Sequence, residues 1–543
     1  MLKMFINFLV EYENKVVVLS KEASLAYFNA SISGKEEDYK KASELQLQLS
    51  KIFSDKKDFE KLKEFKGSEE INNEQILKRQ LDIIYNTYAG HQFDEKLQEE
   101  IINLSTKVEE KFSTFRACLP ESNPDEKAQK LTDNKIDEVL ENSTDSDELK
   151  LHWTASKQIG NLVADDIKQL VHLRNKAAKE LGFVNYHQMS LELSEQNADD
   201  IEKLFDELDE LTRGSFAKLK DEIDEYLSQR YSINKNELMP WHYQDKFFQQ
   251  GPRIYKVDLD KYYKNKDIVE TTIKYYNDID LNIDDLIEKS DLFEKEGKYQ
   301  HAYCTNIDRQ GDVRVLCNVK SNYRWMGTML HEYGHAVYDK YVNMNLPWTI
   351  REHAHIFTTE AIAMLFGRFA SNPQWLKDVI GINDQEKEKI SEDCYNSLRL
   401  EQLVFSRWVQ VMYRFEKSMY ENPGQDLNKL WWNLVEKYQM IKKPEYRNEP
   451  DWASKIHVAL YPAYYHNYML GELLASQLYY YITEKVIKSD SSQPQSFAEN
   501  KNVGAYLKHL FFSYGAMYHW SELIKKATGE ELTPKYYARQ FVN

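Results

Sequence analysis

Apolar residues recur three and four positions apart through most of this 543-residue chain. That is the period of an α-helix burying one face. Segments such as YKKASELQLQLSKIF and LQEEIINLSTKVEEKFSTF carry it across residues 1–118. CLPESNPDE (118–126) interrupts it, with Pro120 and Pro124 as breakers, and predicts a loop. The period resumes over 127–229, with a helix junction between Ser194 and Asp199, where Asn197 and Asp199 can cap the next helix. Further helices are predicted at about 323–341, 357–370, 384–419, 426–439 and 464–487, and SDSSQPQSFAENKN (489–502) reads as a surface loop. Residues 296–320 differ: RVLCNVK is a strand candidate and DRQGD a turn, so a small β-hairpin is expected just before the helix that starts near 323. An extended edge there could hold an extended peptide by main-chain bonds.

Composition narrows the picture. With only 18 Gly and 12 Pro, few helix breakers are present, which supports a mainly α fold. The formal net charge of −17 disfavours binding to a nucleic-acid backbone. No stretch of 18 apolar residues occurs, so no membrane span is expected. The start, MLKMFINFLVEYENK, is interrupted by Asn7 and Glu11 and lacks a small-residue cleavage site, which points to a cytoplasmic protein. Cys118, Cys304, Cys317 and Cys394 are too few and scattered for a disulfide scaffold. Free thiols are the simpler reading, with a Cys304–Cys317 bridge across the hairpin as the alternative.

The chemistry concentrates in MGTMLHEYGHAVYDKY, residues 326–341. His331 and His335 are four apart on a predicted helix and project from one face, a spacing that lets both bind one zinc ion. Glu332, beside the first ligand, is placed to act as general base on an activated water and then return its proton to a leaving amine. Gly334 allows close packing, and Met329, Leu330, Ala336 and Val337 make a buried face. A third ligand is needed. IREHAHIFTTEAIAMLFGRFA (350–370) offers Glu352, His353, His355 and Glu360. Glu360 opens an apolar helix, where a carboxylate is costly unless paired or bound to metal.

From these residues the chain resembles the angiotensin-converting enzyme family of peptidyl-dipeptidases, and shares features with thimet oligopeptidase and oligoendopeptidase F. The resemblance extends to LWWNLVEKYQMI (430–441), SKIHVALYPAYYHNYMLGELLASQL (454–478), HAYC (301–304) and CLP (118–120). It implies Glu360 as third ligand of a single zinc ion. It implies His457 on the substrate backbone and Tyr468 as donor to the developing oxyanion, a role worth on the order of 3 kcal/mol. It further implies Lys455 and Tyr465 on the peptide's C-terminal carboxylate, with Tyr461 and Tyr464 competing for the tyrosine role, and His301 and Ala302 along the extended substrate. Without the resemblance this aromatic cluster reads as helix core. The chain departs from the family in three places. Met364 stands where an aspartate supports the metal shell. Two chloride-binding arginines are Val435 and Asn467, which implies little chloride activation. The glutamine for the carboxylate should fall near Trp241–Gln244, with Gln244 offset by one.

The expected protein is therefore mainly α and two-lobed, a single domain over 1–543 with N-terminal lid helices over about 1–117, a catalytic core over about 296–480 and a deep central cleft. It is expected to be a monomer or weak dimer that cleaves short peptides, releasing C-terminal dipeptides. An oligoendopeptidase indifferent to the terminus is the alternative, and a non-catalytic peptide-binding protein on the same fold is a lower one.

Overall fold

The computed structural model describes residues 1–119 and 130–542. Most of the predicted 118–126 loop, and part of the CLP match, lie outside them. The described residues are mainly helical, with two short antiparallel ladders. No described helix is long and apolar enough to cross a membrane. The chain forms two compact units that share it discontinuously.

The first unit comprises 1–92, 257–395 and 470–537. Its N-terminal pair, Leu2–Ser33 and Glu36–Phe53, turns at Gly34, whose φ of 65° and close approach to Gly297 both require glycine: an added Cβ would stand 1.9 Å from the Gly297 carbonyl oxygen. Phe28 from the first helix packs on Ile307 and Leu316 of the predicted hairpin. That hairpin is present as strands Tyr303–Asn306 and Val313–Leu316, with Cys304 opposite Val315. RVLCNVK is thus a strand only over its first residues. Cys317 and Val319 instead donate to the Asp291 and Leu292 carbonyls at 2.9 and 2.8 Å. The second strand is therefore flanked on both sides, while Tyr303–Asn306 is an edge among the described residues. All four cysteines are free. The predicted 489–502 loop is irregular, as expected, but not wholly superficial: Phe497 is buried against Phe369 and Tyr479, and the Ser496 carbonyl accepts from the Tyr275 hydroxyl at 2.8 Å.

The second unit comprises 93–256, 396–469 and 538–543. Long amphipathic helices dominate it, including Gln158–Glu180 and Ala198–Tyr231. Asn197 caps the latter as predicted, its side chain accepting from the Asp199 and Asp200 amides at 2.9 and 3.2 Å. Ala117–Cys118 pairs with Lys130–Leu131 in a two-residue ladder that no sequence period announces. Buried Trp408, Trp431 and Trp452 build the core around Phe415.

Candidate active site

The histidine-bearing string forms helix Tyr323–Lys340, started by Asn322, whose side chain accepts from the Trp325 amide at 2.9 Å. A second helix, Ile356–Gly367, lies directly on it. The approach is close because Gly334 has no side chain: a Cβ there would meet Ala363 Cα at 2.8 Å and the Ile362 oxygen at 3.2 Å. One turn before Ala363, Glu360 reaches the two histidines. Its Oε2 is 3.7 Å from His331 Nε2 and 3.8 Å from His335 Nε2. These three residues are the one metal-capable cluster among the described residues.

The chemistry of this donor set fits zinc. Ligands at about 2.0–2.1 Å from a tetrahedral ion stand ~3.4 Å apart, so the gaps close with shifts of a few tenths of an ångström. Burial holds the imidazoles neutral, with His331 down to about 4 and His335 also well below its usual value. Burial also pushes Glu332 up to about 8, helped by the Glu360 charge, and Glu360 up to about 7, helped by the Glu472 charge. Glu360 has no Lys or Arg partner among the described residues. Buried carboxylates beside uncharged imidazoles need a cation to ionise near neutral pH. The His335 Nδ1 is held by the Thr359 hydroxyl at 2.7 Å, which fixes its ring and leaves Nε2 as the ligand atom.

The other candidate ligands have other partners. Glu352 pairs with Arg309 at 2.7 Å, which with burial as the opposing effect leaves its pKa lowered. His355 caps the second helix, its ring accepting from the Phe357 amide at 3.2 Å. His353 faces Asp339 at 3.7 Å. His301 and Ala302 immediately precede the edge strand, and the Cys304 backbone N–H of that strand is directed at the Glu332 carboxylate.

The remaining predicted residues lie in the second unit and gather there. Lys455 Nζ is 2.6 Å from Gln249 Oε1 and stands 5.4–5.7 Å from the ring centres of Phe247, Trp408 and Tyr465. Burial lowers its pKa to about 8. The Tyr465 hydroxyl accepts from Trp408 Nε1 at 2.8 Å, and its ring is 5.0 Å from His457 and 5.3 Å from Tyr468. Among the competing tyrosines, Tyr461 is 53% exposed, Tyr464 meets Tyr468 edge to face, and only Tyr465 has Lys455 over its ring. The Gln244 amide donates to the Glu141 carbonyl at 3.0 Å, and the residue lines the same cavity as Lys455. The glutamine bonded to Lys455 is Gln249. A cavity of about 900 Å³ has Gln249, Lys455, Asp245 and Lys246 in its lining.

The peptidase M2 family model, described as angiotensin-converting enzyme, matches residues 3–536. The chain belongs to the peptidase M2 family, and with it to the metallopeptidases. M2-related proteins include an angiotensin-converting enzyme of Theromyzon tessulatum, 20% identical over 84% of this chain and 78% of its own length. One of Haematobia irritans exigua is 21% identical over 81% and 77%. A thermostable carboxypeptidase 1 of Pyrococcus furiosus is 25% identical over 44% of this chain, and the match spans 51%, about half, of that relative's length.

At the two positions where the resemblance implies chloride-binding arginines, this M2 chain has Val435 and Asn467. Val435 is buried beside Trp431 and Trp432. Asn467 Oδ1 accepts from the buried Gln196 amide at 2.7 Å, and the oxygen of that amide lies 2.7 Å from His466 Nε2. Met364 sits with its sulfur where Gly471 leaves room for it: an added Cβ would come within 3.1 Å.

Proposed function

We propose that this protein is a zinc peptidase that hydrolyses short peptides and releases C-terminal dipeptides. The convergence of His331, His335 and Glu360 beside Glu332 carries the reading. A zinc ion held by those three would activate water and polarise a peptide carbonyl. Glu332 then takes the proton of the attacking water and delivers it to the leaving amine. Its direction toward the Cys304 N–H supports that role, since one bond from the edge strand orients the carboxylate while the free edge offers main-chain partners to an extended substrate. His301 and Ala302 belong to the same edge in this reading. On the family resemblance, Tyr468 is assigned to the oxyanion and His457 to the substrate backbone.

Preference for the C-terminus rests on Lys455. A buried cation ringed by three aromatic side chains, with Gln249 and Tyr465 as neutral neighbours, lacks a carboxylate close enough for an ion pair among the described residues. A peptide's terminal carboxylate supplies one. The carboxypeptidase relative is named for action at that terminus. An oligoendopeptidase would be indifferent to it.

Two experiments test this. Glu332→Gln should abolish cleavage of a quenched peptide while zinc content stays at one per chain, and normal activity would sink the assignment. Amidating the C-terminus of a good substrate should raise KM strongly. Unchanged cleavage of the amide would establish the oligoendopeptidase instead, and absence of both zinc and cleavage would leave a peptide-binding protein.

A further inference from the structure

The aspartate expected behind the metal ligands is absent at Met364, yet the space behind His331 and Glu360 is not apolar. Glu472, on helix His466–Tyr481, pairs there with Arg368 at the end of the second site helix. Their side chains are only 12% and 10% exposed. A buried ion pair is weak evidence for stability, because desolvating both groups offsets their attraction.

The backbone geometry ties the pair to the ligands. The residue before each partner is a glycine pressed against a ligand. A Cβ on Gly367 would lie 3.4 Å from His331 Cβ and 3.8 Å from its Nδ1. A Cβ on Gly471 would lie 3.2 Å from Glu360 Cβ. Arg368 is itself fixed along one turn of the Glu472 helix, donating to the Glu472 carboxylate, to the Glu472 carbonyl at 3.3 Å and to the Ser476 hydroxyl at 3.1 Å. Such a fork holds the carboxylate in one orientation. The Glu472–Arg368 pair thus bears on His331 and Glu360, whereas His335 is held by the Thr359 hydroxyl on its Nδ1.

We propose that Glu472, oriented by Arg368, is a positioning residue for the metal centre that supplies, from a different helix, the negative charge missing at Met364. It touches neither substrate nor reacting atoms. Through the close contacts of Gly367 and Gly471 it sets the seats of His331 and Glu360, and so the affinity and ligand field of the bound ion. The inference rests on His331, His335 and Glu360 forming the metal site.

The test uses the full chain and zinc or cobalt(II) as probe. Zinc affinity is measured by competition with a chromophoric chelator, and the visible bands of the cobalt form report the ligand field. Glu472→Gln should weaken zinc binding roughly 10–100-fold and shift the cobalt bands, whereas Glu472→Asp should restore much of both. The metal-free melting temperature should fall for Glu472→Gln, because the buried Arg368 loses its partner, so zinc affinity is compared where both chains are fully folded. Zinc affinity within twofold of the parent, with unchanged cobalt bands, overturns the proposal. So does a failure of Glu472→Asp to recover any of the lost affinity. If Glu472→Gln does not fold, Arg368→Lys, which keeps the charge but not the fork, must weaken zinc and broaden the cobalt bands, and parental values for it overturn the proposal. A parent chain that binds no zinc sinks the underlying site reading itself, whereas tight binding by parent and variant alike sinks only the role of Glu472.

Discussion

The site depends on how closely two helices approach, and Gly334→Ala probes that directly. The new Cβ would fall 2.8 Å from Ala363 Cα and 3.1 Å from Ala363 N. Carbon atoms pack at about 3.5–4.0 Å, so relief needs a separation of ~1 Å. Both obstructing atoms are backbone and cannot rotate away, so helix Ile356–Gly367 must move and carry Glu360 with it. Overpacking of this kind costs about 1–3 kcal/mol, against roughly 0.5–1 kcal/mol gained by replacing glycine within a helix. A net loss of ~1–2 kcal/mol is expected for the metal-free protein. Ligation tolerates only ~0.2 Å, and a ~1 Å misplacement in a site typically costs about 100-fold, so zinc affinity should fall by about that factor. Gly214→Ala is the control. Gly214 lies inside helix Ala198–Tyr231 with no neighbour within 4 Å of an added Cβ, and its substitution should stabilise by ~0.5–1 kcal/mol. Denaturant midpoints of both variants and chelator competition on Gly334→Ala decide the matter. If Gly334→Ala is as stable as Gly214→Ala and binds zinc like the parent, the close-approach argument is wrong.

Three further outcomes are expected. The Lys455 ammonium, with its pKa lowered to about 8 by burial, is charged below that pH and neutral above it. In the proposed reading, kcat/KM for free-acid peptides therefore falls as pH rises through 8 while that for amidated peptides does not, and parallel profiles would count against Lys455. Chloride added at constant ionic strength should leave the rate unchanged, because Val435 and the Asn467–Gln196–His466 chain put no arginine at the two positions where the resemblance implies one; a several-fold rise would contradict this. Glu416 accepts from the Ala463 amide at 2.7 Å, and burial raises its pKa from 4.5 to about 8. A raised carboxyl pKa gives stability that is full below the unfolded value and lost as pH rises through the folded one. The chain should thus lose on the order of a few kcal/mol between about pH 4.5 and 8 through this group, and Glu416→Gln should flatten that slope in urea midpoints.

Helices and hairpin were legible because their signals are local. The 3.6-residue period and the Asn197 cap lie within a few residues of what they specify, as does the turn between the two strands. The two-residue ladder at Ala117–Cys118 was not, since a strand of that length has no period to display. Phe497 was hidden for a related reason: one aromatic residue in a polar stretch gives no repeat, and its partners Phe369 and Tyr479 are remote in sequence. Gln249 was not singled out because its partner Lys455 lies some two hundred residues away, and no spacing rule connects them.

The third ligand shows where local reading stops and why partnership decides. Glu352, His353, His355 and Glu360 all lie within reach of a histidine pair by spacing alone. Each side chain is then claimed by something the sequence does not display. Arg309 takes Glu352, the helix end takes His355, and Asp339 faces His353. Glu360 alone among the four sits at ligand distances from both imidazoles, with its carboxyl pushed upward by burial rather than pulled down by a guanidinium. A buried acid that a protein cation already satisfies has no call on an exogenous one, whereas an acid raised toward neutrality gains most from a divalent ion. By that criterion Glu352 can be replaced with glutamine at some expense to stability but none to zinc content, while Glu360→Gln should lose the metal. Metal analysis of the two purified variants separates them, and zinc retained by Glu360→Gln would overturn the ligand assignment.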